Sequence, residues 1–280
     1  MTAKNDRYAE IKRKIIGYAG QDAAIEAVVA IGSSTRSDIP ADEYSDLDLI
    51  IATSEPEKWY SGEYPALFGN IRISFIEPTL GGGKERRSIY DEDKDVDMII
   101  FTPVQFETAI NDGTAGWVMN RGYSILYDSG RFSEMIEKNI KPVVTRPEMT
   151  EEEFVNIVND FFFHNIWAYK KLRRGELWSA KMCIDAYLKE RLLKMIEQYE
   201  IVSGSTDVWH DGRFIDRWAD RSIVGELVSC FAHYDTGDCR KALTATHRLF
   251  ARLASFVAEK RGYSYPVTAQ ECAAAYLNKI

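Results

Sequence analysis

A polar loop that opens with Gly32-Ser33 and closes on Asp46-Leu47-Asp48 separates two apolar runs that suit buried strands. The first run is Val28-Val29-Ala30-Ile31 and the second Leu49-Ile50-Ile51. Such short apolar stretches bounded by turn residues read as strands of a covered sheet. Side chains two apart on a strand share a face, so Asp46 and Asp48 point the same way. Carboxylates so placed repel each other and cost free energy unless a cation bridges them. Hard oxygen donors with open positions suit Mg²⁺ holding the phosphates of a nucleotide. Gly32 lets the backbone approach a phosphate closely, and the Ser33 hydroxyl and neighbouring amides can donate to its oxygens.

A chain of 280 residues has room for two domains, each with its own core. Hydrophobic residues at 45% and charged residues at 28% describe a soluble globular protein. No apolar run approaches the ~20 residues needed to span a bilayer, so no membrane partner is expected. The polar start, Met1-Thr2-Ala3-Lys4-Asn5-Asp6, lacks the apolar stretch of a secretory signal. Cys183, Cys230, Cys239 and Cys272 are scattered, without zinc or disulfide spacing, and the four histidines lack metal-ligand spacing. A cytoplasmic location fits these features. Charge is uneven: residues 1–145 carry 16 Lys+Arg against 24 Asp+Glu, whereas residues 146–280 carry 19 of each. The whole deficit of −8 therefore lies with the Asp-x-Asp segment. That balance disfavours nucleic acid, whose binding depends on neutralising phosphates, and favours metal ions or a cationic small molecule.

The pattern changes near residue 145. Before it, the sequence predicts a helix over Asp6–Tyr18 and strands near 25–31, 46–53, 71–76, 86–90, 95–101 and 124–127. A short helix over Pro103–Ile110 interrupts them, and Gly81-Gly82-Gly83 and Asp128-Ser129-Gly130 mark turns. This is an α/β (α+β) pattern with a mixed sheet, over residues 1–145. From 146 to 280 the chain reads as helical. Thr150-Glu151-Glu152-Glu153 has the form of a capping box. Phe154, Ile157, Val158, Phe161, Phe162 and Ala168 follow as one stripe, and Gly175 breaks the helix. Further helices are expected over 177–192, 213–234, 238–261 and 267–277. A helical bundle following an α/β domain accounts for the whole pattern.

Asp97 is the one carboxylate inside the apolar strand Val96-Asp97-Met98-Ile99-Ile100-Phe101. The preceding Asp91-Glu92-Asp93-Lys94-Asp95 reads as a solvated hairpin turn. Asp97, flanked by Val96 and Met98, is assigned to function.

Strand, Gly-Ser, loop and Asp-x-Asp strand together resemble the active-site pattern of the DNA polymerase β-like nucleotidyltransferase superfamily. Within it the chain is similar to the aminoglycoside 6-adenylyltransferases (streptomycin adenylyltransferases). The Gly32-Ser33 to Asp46-Leu47-Asp48 loop matches in length, and Val96-Asp97-Met98-Ile99 resembles the family's third-carboxylate strand. Asn159-Asp160-Phe161-Phe162-Phe163, then Lys170, Leu172, Arg174, Glu176, Ala180 and Lys181, resembles the family's helical motif. The likeness runs from about residue 10 to 265. Ser34 stands where the family usually has Arg, with Arg36 two places later.

This resemblance implies a Mg²⁺-dependent transfer of AMP from ATP to a hydroxyl of an aminoglycoside such as streptomycin. It implies Asp46, Asp48 and Asp97 as metal ligands, with Asp97 also drawing off the proton of the attacking hydroxyl. Gly32, Ser33, Arg36, Lys170 and Arg174 would contact the nucleotide, and Trp178, Asp185 and Glu190 the acceptor. A monomer is expected. The same pattern accommodates a different small-molecule or protein acceptor, or a nucleotide-binding regulator with a degenerate site.

Overall fold

A computed structural model describes residues 6–36, 39–79, 82–141, 148–205 and 207–279. Gly81 and the 142–147 stretch lie outside the described residues. The chain divides into two compact units, Met1–Val144 and Thr145–Ile280.

The first unit runs α1 (Ala9–Ala19), β1 (Ile25–Ile31), β2 (Leu47–Thr53), α2 (Pro56–Tyr60), β3 (Ile71–Pro78), β4 (Lys84–Tyr90), β5 (Lys94–Phe101), α3 (Pro103–Asn111), α4 (Gly116–Met119), β6 (Ser124–Asp128) and α5 (Ser133–Asn139). Its six strands form one sheet in the order β3-β4-β5-β2-β1-β6. The β2–β5 pair is parallel and the other pairs are antiparallel, so the sheet is mixed as the sequence predicts.

Alternation along the central strands builds two cores, one on each face. Val28, Ala30, Leu47, Leu49, Ile51, Val96 and Met98 pack with Ile11, Ile15 and Trp59. Ala27, Val29, Ile31, Ile50 and Ala52 face the other way and pack with Phe106, Ile110 and Ile136. Burying a side chain such as Leu49 or Ile50 contributes about 2 kcal/mol each, which explains why these runs admit so few polar residues. Asp48 and Asp97 are exceptions on the second face, and that breach locates the site.

The second unit contains α6 (Glu151–Arg173), α7 (Leu177–Met182), α8 (Leu188–Val202), α9 (Ile215–Trp218), α10 (Arg221–Leu227), α11 (Thr236–Arg261) and α12 (Val267–Leu277). The capping box at the start of α6 is formed in both directions between Thr150 and Glu153. Phe154, Val158, Phe161 and Phe162 are all buried in its core, and Phe161 stacks on Phe250 with centroids 3.6 Å apart. A π-helical turn over Cys183–Tyr187 joins α7 to α8. The single helix expected over 213–234 is instead two short ones. Ala219 is extended (φ −83°, ψ 153°), and the Asp220 side chain accepts from the Ser222 amide to cap a new start. Such a cap is worth about 1 kcal/mol, enough to favour the restart over a continuous helix. Among the described residues, no helix is long and apolar enough to cross a membrane.

Candidate active site

β1 ends at Ile31, and the chain turns at once into a 3₁₀ helix over Gly32–Thr35. Gly32 adopts φ +71°, a conformation that disfavours residues with a Cβ. Space requires glycine as well. A Cβ there would lie 2.8 Å from the carboxylate carbon of Asp48 and closer still to Oδ2. The Ser34 hydroxyl donates to the Ile31 carbonyl at 3.2 Å. Thr35 Oγ1 lies 3.0 Å from the Gly32 carbonyl oxygen and 2.9 Å from that of Gly122, tying the turn to the start of β6. Ser33 Oγ is buried and has no hydrogen-bond partner. Arg36 leaves the turn in extended conformation.

Asp46 immediately precedes β2, Asp48 is its second residue, and the parallel register sets Asp48 beside Asp97 of β5. Oxygens of Asp46, Asp48 and Asp97 all lie within 4.8 Å of one another. Asp97 is only 5% exposed, and its Oδ1 has no partner. Its Oδ2 lies 3.5 Å from Nη1 of Arg87. Burial pushes the Asp97 carboxyl up to about 7; Arg87 opposes that, while Glu85, Asp95 and Asp48 add to it. Glu85 and Asp95 are also raised, chiefly by burial. Three hard oxygen donors, one of them a buried orphan, crowded enough to hold on to a proton, fit a divalent cation of the Mg²⁺ type.

Sequence reading missed three residues that complete this surface. Arg87 sits opposite Asp97 in the antiparallel β4–β5 register. Its Nε lies 2.7 Å from Glu77 and its Nη2 3.2 Å from Glu85. The available signal was the hairpin itself: counting back from the Asp91–Asp93 turn, with Tyr90 opposite Lys94, sets Arg87 opposite Asp97.

The helical candidates belong to the second unit. Lys170 lies with its ammonium 5.4 Å from the centre of the Tyr276 ring. Arg174 is largely exposed and pairs with Glu176 at 2.6 Å. Both line a surface pocket with Trp167, Tyr169, Lys171 and Arg173. Trp178 is 69% exposed and edge-on to Tyr234. Asp185 lies in the π-helical turn, ion-paired with Lys181 through Oδ2, while its Oδ1 is buried without a partner. Glu190 is exposed and pairs with Arg191 at 2.7 Å. Arg191 also reaches Asp160 at 2.8 Å, where Tyr187 and His164 converge. The structure thus gathers the three carboxylates of the first unit closely, whereas Asp185 and Glu190 have separate partners.

A mixed sheet bearing three convergent carboxylates beside a glycine-serine turn defines a nucleotidyltransferase. The family model described as streptomycin adenylyltransferase matches residues 6–280, and the chain belongs to that family. It is an adenylyltransferase-type enzyme. A relative from Bacillus subtilis (strain 168), named aminoglycoside 6-adenylyltransferase, is 23% identical over 264 residues, 90% of each chain. Among solved structures, an aminoglycoside 6-adenyltransferase from Bacillus subtilis aligns at 18% identity with a TM-score of 0.46, covering 96% of this chain and 97% of that one. A nucleotidyltransferase-like protein from Exiguobacterium sibiricum 255-15 aligns at 10% identity and TM-score 0.41, covering 89% and 77%.

Proposed function

We propose that the chain transfers AMP from ATP to a hydroxyl of an aminoglycoside such as streptomycin, with release of pyrophosphate, in a Mg²⁺-dependent reaction. The observation that carries this reading is the cluster of Asp46, Asp48 and Asp97 beside the Gly32-Ser33 turn. Family membership supports the chemistry, and the name of the Bacillus subtilis relative supports the acceptor class.

In this reading the first unit is catalytic. Asp46, Asp48 and Asp97 hold Mg²⁺, which when bound neutralises charge developing on the α-phosphate and the departing pyrophosphate. The unpartnered Ser33 hydroxyl and the backbone amides of its turn donate to phosphate oxygens, and Arg36 adds a charge-assisted donor. Gly32 keeps the turn close to Asp48, so phosphate and carboxylates share one small volume. Asp97, the most deeply buried carboxylate of the cluster, accepts the proton of the attacking hydroxyl. Lys170 and Arg174 are assigned to the triphosphate by the family likeness, and Trp178, Asp185 and Glu190 to the acceptor.

The test is incubation of the purified chain with α-labelled ATP, Mg²⁺ and a panel of aminoglycosides, neutral alcohols and proteins. Label on streptomycin or a related aminoglycoside, with pyrophosphate released only when that acceptor is present, is the expected outcome. Label on a neutral alcohol or a protein alone overturns the acceptor, and nucleotide binding without any transfer overturns the activity.

A further inference from the structure

We propose that Arg87 is a positioning residue for adenylyl transfer: a guanidinium seated among three carboxylates that holds Asp97 in its working orientation. The inference rests on the nucleotidyl-transfer reading above.

The three nitrogens of Arg87 engage three different carboxylates on three neighbouring strands. Nε meets Glu77 of β3 at 2.7 Å, Nη2 meets Glu85 of β4 at 3.2 Å, and Nη1 meets Asp97 of β5 at 3.5 Å. Strand register brings these groups together, because Glu77 pairs with Glu85 and Arg87 pairs with Asp97 across the ladder. All four side chains therefore project from the same face of the sheet. A planar guanidinium anchored at two points has its third direction fixed, which a lysine ammonium does not.

The consequence falls on Asp97. Arg87 takes Oδ2, and Oδ1 is left buried without a partner. Asp97 thus has one oxygen committed to the protein and one to offer to the cluster with Asp46 and Asp48.

An ordinary surface ion pair is the competing explanation, since Arg87 itself is 44% exposed and exposed pairs contribute little. Its partners decide against that. The Asp97 side chain is 6% exposed and that of Glu85 12%, so Arg87 is the counter-ion of groups that water scarcely reaches. Without it, Glu77, Glu85 and Asp97 would each lose this counter-charge beside Asp46 and Asp48.

The experiment compares the full chain with Arg87→Met and Arg87→Lys. It measures Mn²⁺ affinity of the nucleotide-free protein by electron paramagnetic resonance, kcat and the KM for ATP, with circular dichroism to check folding. Loosening Asp97, one of the three oxygen donors, in Arg87→Met should weaken Mn²⁺ binding about tenfold. Loss of the Asp97 orientation should lower kcat by about a hundredfold with KM for ATP within roughly twofold. Arg87→Lys should restore Mn²⁺ affinity but only part of kcat. A folded Arg87→Met with kcat within roughly twofold of the parent, with unchanged or tighter Mn²⁺ binding, or with kcat fully restored by Lys, overturns the proposal. Should Arg87→Met not fold, Glu77→Gln loosens the guanidinium from its far end. It should lower kcat and weaken Mn²⁺ binding, each severalfold, and an unchanged kcat there overturns the proposal equally. Absence of transfer by the parent chain overturns the function reading instead, and the Mn²⁺ arm still decides whether Arg87 balances the cluster.

Discussion

Asp48 occupies the space that a side chain at position 32 would need, its carboxylate carbon lying 2.8 Å from where a Cβ on Gly32 would stand. The turn and the strand that carries Asp48 therefore share a surface, and neither can change without the other. Gly32→Ala meets this clash and a φ of +71° together. It should lose about 2 kcal/mol of stability and lower transfer roughly a hundredfold by displacing Asp48. Urea unfolding beside pyrophosphate-release kinetics checks it; a variant as stable and active as the parent would show that the turn yields.

Asp46→Asn and Asp48→Asn should each reduce adenylyl transfer on the order of a thousandfold while the fold stays intact. Like charges within 4.8 Å repel, so in chelator each variant should melt at or above the parent's temperature. Near-parental turnover in either purified variant removes it from the metal site.

For Asp97→Asn, turnover should drop roughly a hundredfold or more with little change in ATP affinity, as expected of a proton acceptor. Steady-state kinetics with ATP-binding calorimetry separates the two effects. Unchanged turnover would leave Asp97 a structural partner of Arg87.

The second unit carries a separate pH signature. His247 of α11 is 6% exposed, packs against Phe162, and leaves Nδ1 without a partner. Burial first, and Arg248 second, lower its pKa from 6.5 to about 4. Between those values the unfolded chain binds a proton that the folded one refuses, so stability is lost as pH falls from about 6.5 to 4. Relative to His247→Met, the parent should lose about 3 kcal/mol across that window. Parallel urea midpoints for the two proteins at both ends of it would refute the assignment.

Much of this architecture is legible in one dimension. The unbroken apolar run Val28-Val29-Ala30-Ile31 announces a strand covered on both faces, and the spacing of Asp46 and Asp48 announces a shared one. Thr150 and Glu153 announce a helix start because capping is a local interaction. What escapes is the pairing. Arg87 matters only because β4 meets β5 in the register that sets it opposite Asp97. The tight turn over Asp91–Asp93 sets that register, and reading the turn as the wider stretch 91–95 hides it. The break at Ala219 and Asp220 escapes for a different reason: helical periodicity runs on through residues whose cap overrides it.

Thr35 binds the carbonyls of both Gly32 and Gly122, and a Cβ on Gly122 would stand 2.5 Å from the Thr35 carbonyl oxygen. The turn is thereby pressed against the segment that leads into β6. Its conformational freedom is lost when the chain folds, not when a phosphate arrives. Capture of a phosphate there need not await loop ordering, so association should proceed in one kinetic phase whose rate rises linearly with ligand concentration.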